Sequence, residues 1–360
     1  MGTELRAVAE DELEELLRVN HVAFGAAMPD ADQLADLKRV FVLDRARAVF
    51  EGGRIVASSA AFPFELTLPG LTTVPASGVS MVGVLPTHRR QGHLRAMIGA
   101  LLDDTAERGE AVSILLASES LIYGRFGFGL ATSHTWVELP RRHGAMLSGV
   151  PSAGRVTLVD KAEAAKVLPG LLDRARRQQP GDITRPDAWW DGLLRDPENK
   201  REGAGPQFYA VHESPAGEAD GYAVYRVKHN WDGGSPNARL LASEIVSLDA
   251  AAEADLWRYL CSVDLVEVVE AENRPLTDPL RWMLADPRRL LVKGHSDWLW
   301  ARILDVEAAL SARRYATEDR LVLEVSDPFR PATAGRYELG GSPAGATCRR
   351  TDAEPDLALA

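Results

Sequence analysis

Apolar and polar positions along this chain recur with two periods, and the changes of period mark its elements. Leu13, Leu16, Leu17 and Phe24 stand at helical spacing behind an acidic first turn, and Asp30 with Gln33 opens a second helix in the manner of a capping box. Residues 48–50, the Gly52-Gly53 turn and residues 54–64 read as a hairpin of β-branched and apolar residues, which 66–68 and the Pro69-Gly70 turn extend into a meander. Residues 79–85 alternate small and apolar side chains as a buried strand does, and Pro86, lacking a backbone donor, stops it. Beyond Arg89, Arg90, Gln91 and Gly92, the residues Leu94, Met97, Ile98, Leu101 and Leu102 make one face of a helix, so that helix starts at the arginines. Residues 111–117 form another short buried strand, 132–139 a strand that closes the first domain, and 140–154 a linker.

The pattern then repeats more weakly. Helices are expected at 161–178 and near 187–195, strands at 208–212, 221–228 and 243–248, and a further helix from Ala250. From about residue 293 the order changes to a strand at 298–304, a helix opened by Asp305, and strands at 320–325, 337–339 and 347–349.

The two strand-to-helix junctions differ in chemistry. A helix start exposes unpaired N–H groups and a partial positive charge, which suits a pyrophosphate. At the first junction Gly92 permits close approach of the backbone, and Arg89 and Arg90 can add charge-assisted hydrogen bonds to the anionic end of a carrier such as coenzyme A. The bland reading of the same residues is a basic helix start with solvated arginines. At the second junction, Ser247-Leu248-Asp249-Ala250-Ala251, arginines and glycine are absent and Asp249 would repel a phosphate.

The run from Gly78 to Gly129, with Arg-Arg-Gln-Gly-His-Leu between strand and helix and Tyr-Gly-Arg-Phe-Gly-Phe-Gly after the next strand, resembles the GNAT N-acetyltransferases. Within them it is most similar to the Eis (enhanced intracellular survival) family, as are AVYRV at 223–227, WLWARILDV at 298–306, AALSARRY at 308–315, residues 323–326 and ATCRRTD at 346–352. The resemblance spans nearly the whole chain. It implies an α+β protein of tandem GNAT-like domains, the second degenerate, followed by a sterol-carrier-protein-like α/β domain. The boundaries it suggests are 1–145 for the catalytic domain, 155–290 for the degenerate one and 293–360 for the last.

By the same resemblance the chain transfers an acetyl group from acetyl-CoA to a cationic amine, such as an aminoglycoside, a polyamine or a lysine side chain, by direct attack in a ternary complex. The cofactor-binding positions carried over are Val82, Gly83, Val84, Arg89, Arg90, Gln91, Gly92, His93, Leu94, Arg95, Ser118 and Glu119, with the backbone amides of 82–84 holding the thioester and pantetheine. Tyr123 matches the family's general acid. Its ordinary pKa of about 10 is close enough to a thiolate's for proton delivery to the leaving group, and a core tyrosine capping a sheet is the alternative. The family assembles as hexamers. In it the terminal carboxylate is thought to act as general base; Ala360 does not match that terminus, so the role is not carried over, and the last domain reads as incomplete.

Composition narrows the remaining options. A chain of 360 residues, 46% hydrophobic and 26% charged, is long enough for two or three domains. A net charge of −11 argues against a general nucleic-acid binder and is compatible with a cationic partner. The apolar runs are too short for a membrane span and the acidic start is unlike a signal peptide, so the expected compartment is the cytoplasm. The two cysteines, Cys261 and Cys348, suit reduced core thiols, and no histidine pair has metal-ligand spacing. Ser80 lacks the spacing of a nucleophile elbow, and Trp189, Trp190, Trp298 and Trp300 read as core or interface anchors. Two other classes stay open at this point: a CoA-binding module without turnover, and a lipid carrier or scaffold built on the last domain.

Overall fold

The computed structural model describes residues 2–359, so Ala360 and the question of its carboxylate lie outside the described residues. The chain divides into two compact units, Met1–Thr132 with Gln179–Thr184 and Trp298–Ala360, and Ser133–Gln178 with Arg185–Asp297.

In chain order the first unit begins with β1 (Thr3–Ala7), α1 (Leu13–Phe24), α2 (Ala31–Val40), β2 (Ala46–Glu51), β3 (Arg54–Thr67), β4 (Thr73–Val84), α3 (His93–Glu107), β5 (Val112–Leu116), α4 (Ser120–Tyr123) and β6 (Gly129–Leu130). The second unit contains β7 (Ser133–Pro140), β8 (Arg155–Val159), α5 (Lys161–Arg176), α6 (Asp187–Arg195), β9 (Phe208–Glu213), β10 (Ala219–Lys228), the small hairpin β11 (Trp231–Asp232) and β12 (Ser235–Pro236), β13 (Ala238–Ser247), α7 (Ala250–Ser262), β14 (Val266–Pro275), α8 (Leu280–Met283) and β15 (Leu291–Asp297). The chain then re-enters the first unit with β16 (Leu299–Ile303), α9 (Val306–Ser311), β17 (Asp319–Val325), β18 (Gly335–Ser342), β19 (Gly345–Arg350) and β20 (Leu357–Leu359).

Local chemistry accounts for many of these boundaries. Asp30 Oδ1 accepts from the Gln33 amide at 2.9 Å while Gln33 Oε1 accepts from the Asp30 amide at 3.3 Å, which satisfies two orphan donors at the start of α2. Asp305 opens α9 by accepting from the Ala308 amide at 2.9 Å. Between β2 and β3 both residues of the Gly52-Gly53 turn are left-handed, as a tight hairpin requires.

Each unit has a seven-stranded sheet. The first runs β1-β2-β3-β4-β5-β16-β6 and the second β15-β7-β14-β13-β10-β9-β8. Pairing is antiparallel except at β4–β5 and β13–β14, which are parallel and are joined by α3 and α7 respectively. Helix α3 buries Met97, Ile98, Leu101 and Leu102 in the first unit, and α7 buries Leu256, Trp257 and Leu260 in the second. The last part of the first unit adds a four-stranded sheet, β19-β18-β17-β20, with Val306 and Leu310 of α9 packed beside Leu323, Tyr337 and Leu339.

Two strands lie in a different sheet from the one their neighbours in sequence suggest. The strand expected to close the first domain forms at Ser133–Pro140, but it pairs with β14 and β15 in the second sheet. The strand expected to begin the sterol-carrier-like domain, Leu299–Ile303, pairs in full register with Leu116 back to Val112 and lies in the first sheet. The reason is the edge of β5: β6 is only two residues long and cannot cover it, whereas β16 satisfies all five positions. The amides of Trp298 and Leu299 are fastened to the Thr132 carbonyl and hydroxyl at 2.9 and 3.1 Å, which sets that register.

Strand β16 also supplies a buried cation. Arg302, 2% exposed, donates to the Phe126 carbonyl and to Asp327 Oδ2 at 2.6 Å. Gly127, at φ +80°, leaves room for this guanidinium, since a Cβ there would overlap the Arg302 side chain. Removing the carboxylate strands the buried charge, so Asp327→Ala should destabilise the protein by about 3–5 kcal/mol. The double variant Asp327→Ala with Arg302→Met should recover part of that loss. Thermal melts of the three proteins check it, and an undiminished melting temperature in the single variant would show that the pair contributes nothing.

Candidate active site

The first sheet opens at the parallel pair. Strand β4 is bonded to β5 only from Ala76–Val112 to Gly78–Ile114, and residues 79–84 have no strand partner on that side. A bulge drives the divergence: the β3–β4 register passes from Ala60–Ser80 to Ser58–Gly83, so two residues of β4, Met81 and Val82, face one of β3. Met81 takes the left-handed conformation at φ +54°, and its carbonyl accepts the Ser58 hydroxyl at 3.0 Å. The Leu85 amide donates back to Val56 O at 3.0 Å, so by strand alternation the amides of Val84 and Val82 face the open edge. Gly83 lies against Asn20 and Ala23 of α1, and Asn20 Nδ2 is a buried donor with no partner. In the sequence Asn20 carries no signal, being one asparagine within a helical pattern.

The loop after β4 leads to the start of α3. Arg90 at φ +63° and Gly92 at φ +87° curl its backbone, and Gly92 is the N-cap of α3 without a side-chain cap or an acidic residue in the first turn. The helical ladder begins with the Ala96 amide on Gly92 O at 3.1 Å, so the amides of His93, Leu94 and Arg95 are left for an anion. Arg89, Arg90, Gln91 and Arg95 are exposed, and Arg89 reaches the Ala23 carbonyl at 3.2 Å. His93 points inward, 7% exposed, with Nε2 buried and unpartnered. Ser118 and Glu119 are exposed just beyond β5, where Glu119 precedes α4.

Tyr123 ends α4 with its ring in the core beside Val79, Leu115, Phe126 and Phe128, edge-on to Phe128 with centroids 6.0 Å apart. Burial, and secondarily the Glu119 carboxylate, push the phenol above its ordinary value of 10.0, so it holds its proton throughout the neutral range. The thiols are inert by comparison: burial pushes Cys261 up to about 12 and Cys348 up to about 11. Among the described residues no three His, Cys, Asp or Glu side chains are gathered to hold a metal, and no helix is long and apolar enough to cross a membrane.

The second sheet repeats the backbone plan and fills its opening. Strand β13 is bulged against β10 at Ser243, whose hydroxyl donates to Val224 O at 3.2 Å, and it parts from β14 after Ala242–Ala271. Into that gap goes Arg274, 5% exposed, donating to Ile245 O at 3.4 Å, to Asp278 at 2.8 Å and to Glu253. Glu253 is held further by Trp257 Nε1 at 2.9 Å and the Ser247 hydroxyl at 2.7 Å. The start of α7 is consumed as well, because Asp249 Oδ1 accepts the amides of Ala251 and Ala252 at 2.9 Å each. An anion at this junction would displace a cap and face two carboxylates.

A bulged strand parting from its parallel neighbour, with an uncapped helix start between them, is the architecture of a GNAT acetyltransferase. Family models described as acetyltransferase (GNAT) domains match residues 4–131 and 181–308, and one described as a sterol carrier protein domain matches 306–360. An uncharacterized N-acetyltransferase of Streptomyces avermitilis is 39% identical over 99% of this chain and 86% of its own length. The N-acetyltransferase Eis of Mycobacterium tuberculosis is 36% identical over 86% of this chain and 74% of its own. The crystal structure of Eis1 from Mycobacterium abscessus superposes with a TM-score of 0.85 at 32% identity, covering 99% of this chain and 87% of that one. A GNAT protein from Anabaena variabilis reaches the same TM-score at 20% identity and shares the fold. The chain belongs to the Eis family of GNAT N-acetyltransferases, and its fold implies acetyl-CoA as co-substrate.

With one junction open and the other self-occupied, calorimetric titration with acetyl-CoA should give one molecule per chain. Asp249→Ala should cost about 1 kcal/mol of stability through loss of the cap and still leave a stoichiometry of one, because Arg274 keeps the gap filled. A second binding event in either protein would contradict the assignment.

Proposed function

We propose that this enzyme acetylates a cationic amine, an aminoglycoside, polyamine or lysine side chain, by direct attack on acetyl-CoA in a ternary complex at the opening between β4 and β5. The observation that supports it most is the coincidence, in one unit, of outward-facing amides at Val82 and Val84, an uncapped helix start behind Arg89 and Arg90, and a buried, proton-bearing Tyr123. In this reading the amides of Val82 and Val84 align the thioester and pantetheine, Gly83 turning its own amide toward β3, while the amides of 93–95 with Arg89, Arg90 and Gln91 hold the pyrophosphate. Ser118 and Glu119 border the far side of the opening. His93, whose ring faces the core, contributes its backbone only.

The chemistry follows from placement. A neutral amine attacks the thioester carbonyl, the developing oxyanion is met by strand amides, and the departing sulfur takes a proton from Tyr123. Both α1 and α2, with the acidic character of the chain, suit the side from which a cation arrives. Assembly as a hexamer is inferred from the family alone, and light scattering at micromolar concentration reads it directly.

Charge reversal at an exposed loop position leaves the core untouched, so Arg90→Glu should weaken acetyl-CoA binding at least tenfold with an unchanged melting temperature. An unchanged dissociation constant would displace the pyrophosphate from this loop. Tyr123→Phe keeps the ring and removes the donor: kcat should fall by about 10²–10⁴-fold while acetyl-CoA affinity persists. The sign of the pKa shift adds a second readout. Because the phenol titrates above its ordinary value, wild-type kcat should lose its Tyr123-dependent activity only above about pH 10, and the variant should lack that limb. Wild-type turnover by Tyr123→Phe, under conditions where chemistry limits, would make this tyrosine structural.

A further inference from the structure

Beside the start of α3, and continuous with it, lies a cavity of about 540 Å³ lined by Gly92, Arg95, Ala96, Gly99, Asp103, Phe329 and Arg330 among others. Four of these positions, Gly92, Ala96, Gly99 and Asp103, follow one stripe of the helix opposite its buried face, and three of the four are small. A Cβ at Gly99 would come no closer than 4.0 Å to Phe329, so the space is open. The opposite wall belongs to the segment after β17. There Asp327 Oδ1 accepts the amides of Phe329 and Arg330 at 3.2 and 2.9 Å, while its other oxygen is held by Arg302. The Phe329 ring packs edge-on to Phe126 with centroids 5.1 Å apart, and the Arg95 guanidinium lies over it at 4.7 Å. Arg330 is aimed along α3 by Asp103 at 3.3 Å.

We propose that this cavity is the seat of the 3′-phosphorylated adenosine of coenzyme A, with the purine against Phe329 and Arg95 and the 3′-phosphate on Arg330. The inference rests on the pyrophosphate being held at the start of α3. From there the geometry is covalent: one ribose separates the 5′-pyrophosphate from both the base and the 3′-phosphate. The stripe from Gly92 to Gly99 covers about 10 Å of helix, which is the length of one nucleoside. The charges agree. Three ionised side chains face the space, the cations Arg95 and Arg330 and the carboxylate of Asp103, which leaves a net positive lining in a protein of net charge −11. An aromatic ring beside a guanidinium plane is a stacking surface for a purine. The segment that supplies Phe329 and Arg330 belongs to the part of the chain matched by the sterol carrier model, so that part takes a share in cofactor recognition.

The test compares CoA with 3′-dephospho-CoA by calorimetry on the full chain. Wild type should bind CoA roughly tenfold or more tightly than the dephospho form, the amount a charge-assisted contact supplies. In Arg330→Ala that preference should shrink to within about threefold, with dephospho-CoA binding unchanged. In Gly99→Leu, which fills the cavity from a helical position with free space, both ligands should weaken together. Equal wild-type affinities, a preference that survives Arg330→Ala, or wild-type binding by Gly99→Leu would each overturn the proposal while leaving the pyrophosphate assignment in place. Failure of wild type to bind CoA at all would overturn both. Because every readout is binding, a chain that binds with these preferences but acetylates no amine would sink the proposed reaction and spare this site.

Discussion

The parallel ladder between β4 and β5 lasts three residue pairs, and the site depends on its ending there. Had the pairing continued, the amides of Val82 and Val84 would be spent on strand β5, and the carboxyl ends of the two strands would be closed against a ligand. The bulge at Met81 ends it by turning the strand through a left-handed residue, at a cost in backbone strain that the Ser58 hydroxyl partly offsets. The second sheet carries the same divergence with a bulge at Ser243, so the opening is a property of the backbone plan and comes before any binding chemistry. What distinguishes the two is what fills the opening. Arg274, Glu253 and Asp278 make the second one a closed polar network, whose members are each hydrogen-bonded and which excludes a ligand by already satisfying its own donors.

Charge placement makes the same separation. Most arginines of this acidic chain are paired, as Arg45 is with Glu110 in a buried bidentate contact and Arg185 with Glu244. Among the described residues Arg90 has no carboxylate within ion-pair distance, and it is exposed at the helix start. A polyanionic co-substrate approaching a molecule of net charge −11 needs such a local reversal of sign, while the cationic amine of the proposed reaction would be drawn by the field of the whole. The acetyl donor is a polyanion, and a basic helix start on an acidic protein supplies the local sign that it needs.

Much of this was legible in the sequence because it is local. The Asp30–Gln33 box, the glycine turn at 52–53, the proline stop after β4, the apolar face of α3 and the contrast between Gly92 and Asp249 are each decided by neighbours within a few residues. The exchange of β7 and β16 between sheets was not legible, since residue 299 finds its partner at 116 and no periodicity reports which edge a strand joins. Arg274 lies in a stretch where the sequence pattern predicts no strand, and only the fold shows it entering the gap beside β13. Phe329 and Arg330 sit in a connecting segment without pattern, and their relation to α3 is again tertiary.

The non-local pieces bear on what counts as the catalytic part of the chain. A boundary drawn near residue 131 or 145 would include every residue of the motif and omit β16, which covers five positions of β5. It would also omit Arg302, which holds the Phe126 carbonyl within the same turn that orients Tyr123, and Asp327, which neutralises that cation and positions Phe329. A fragment so cut would present the bare edge of a central strand, with its unpaired N–H and C=O groups, next to an apolar cluster that has lost Trp300, Leu304 and Phe329. The motif is therefore necessary for the site without being a folding unit, and the part of the chain from Trp298 onward stabilises the element that carries the proposed proton donor.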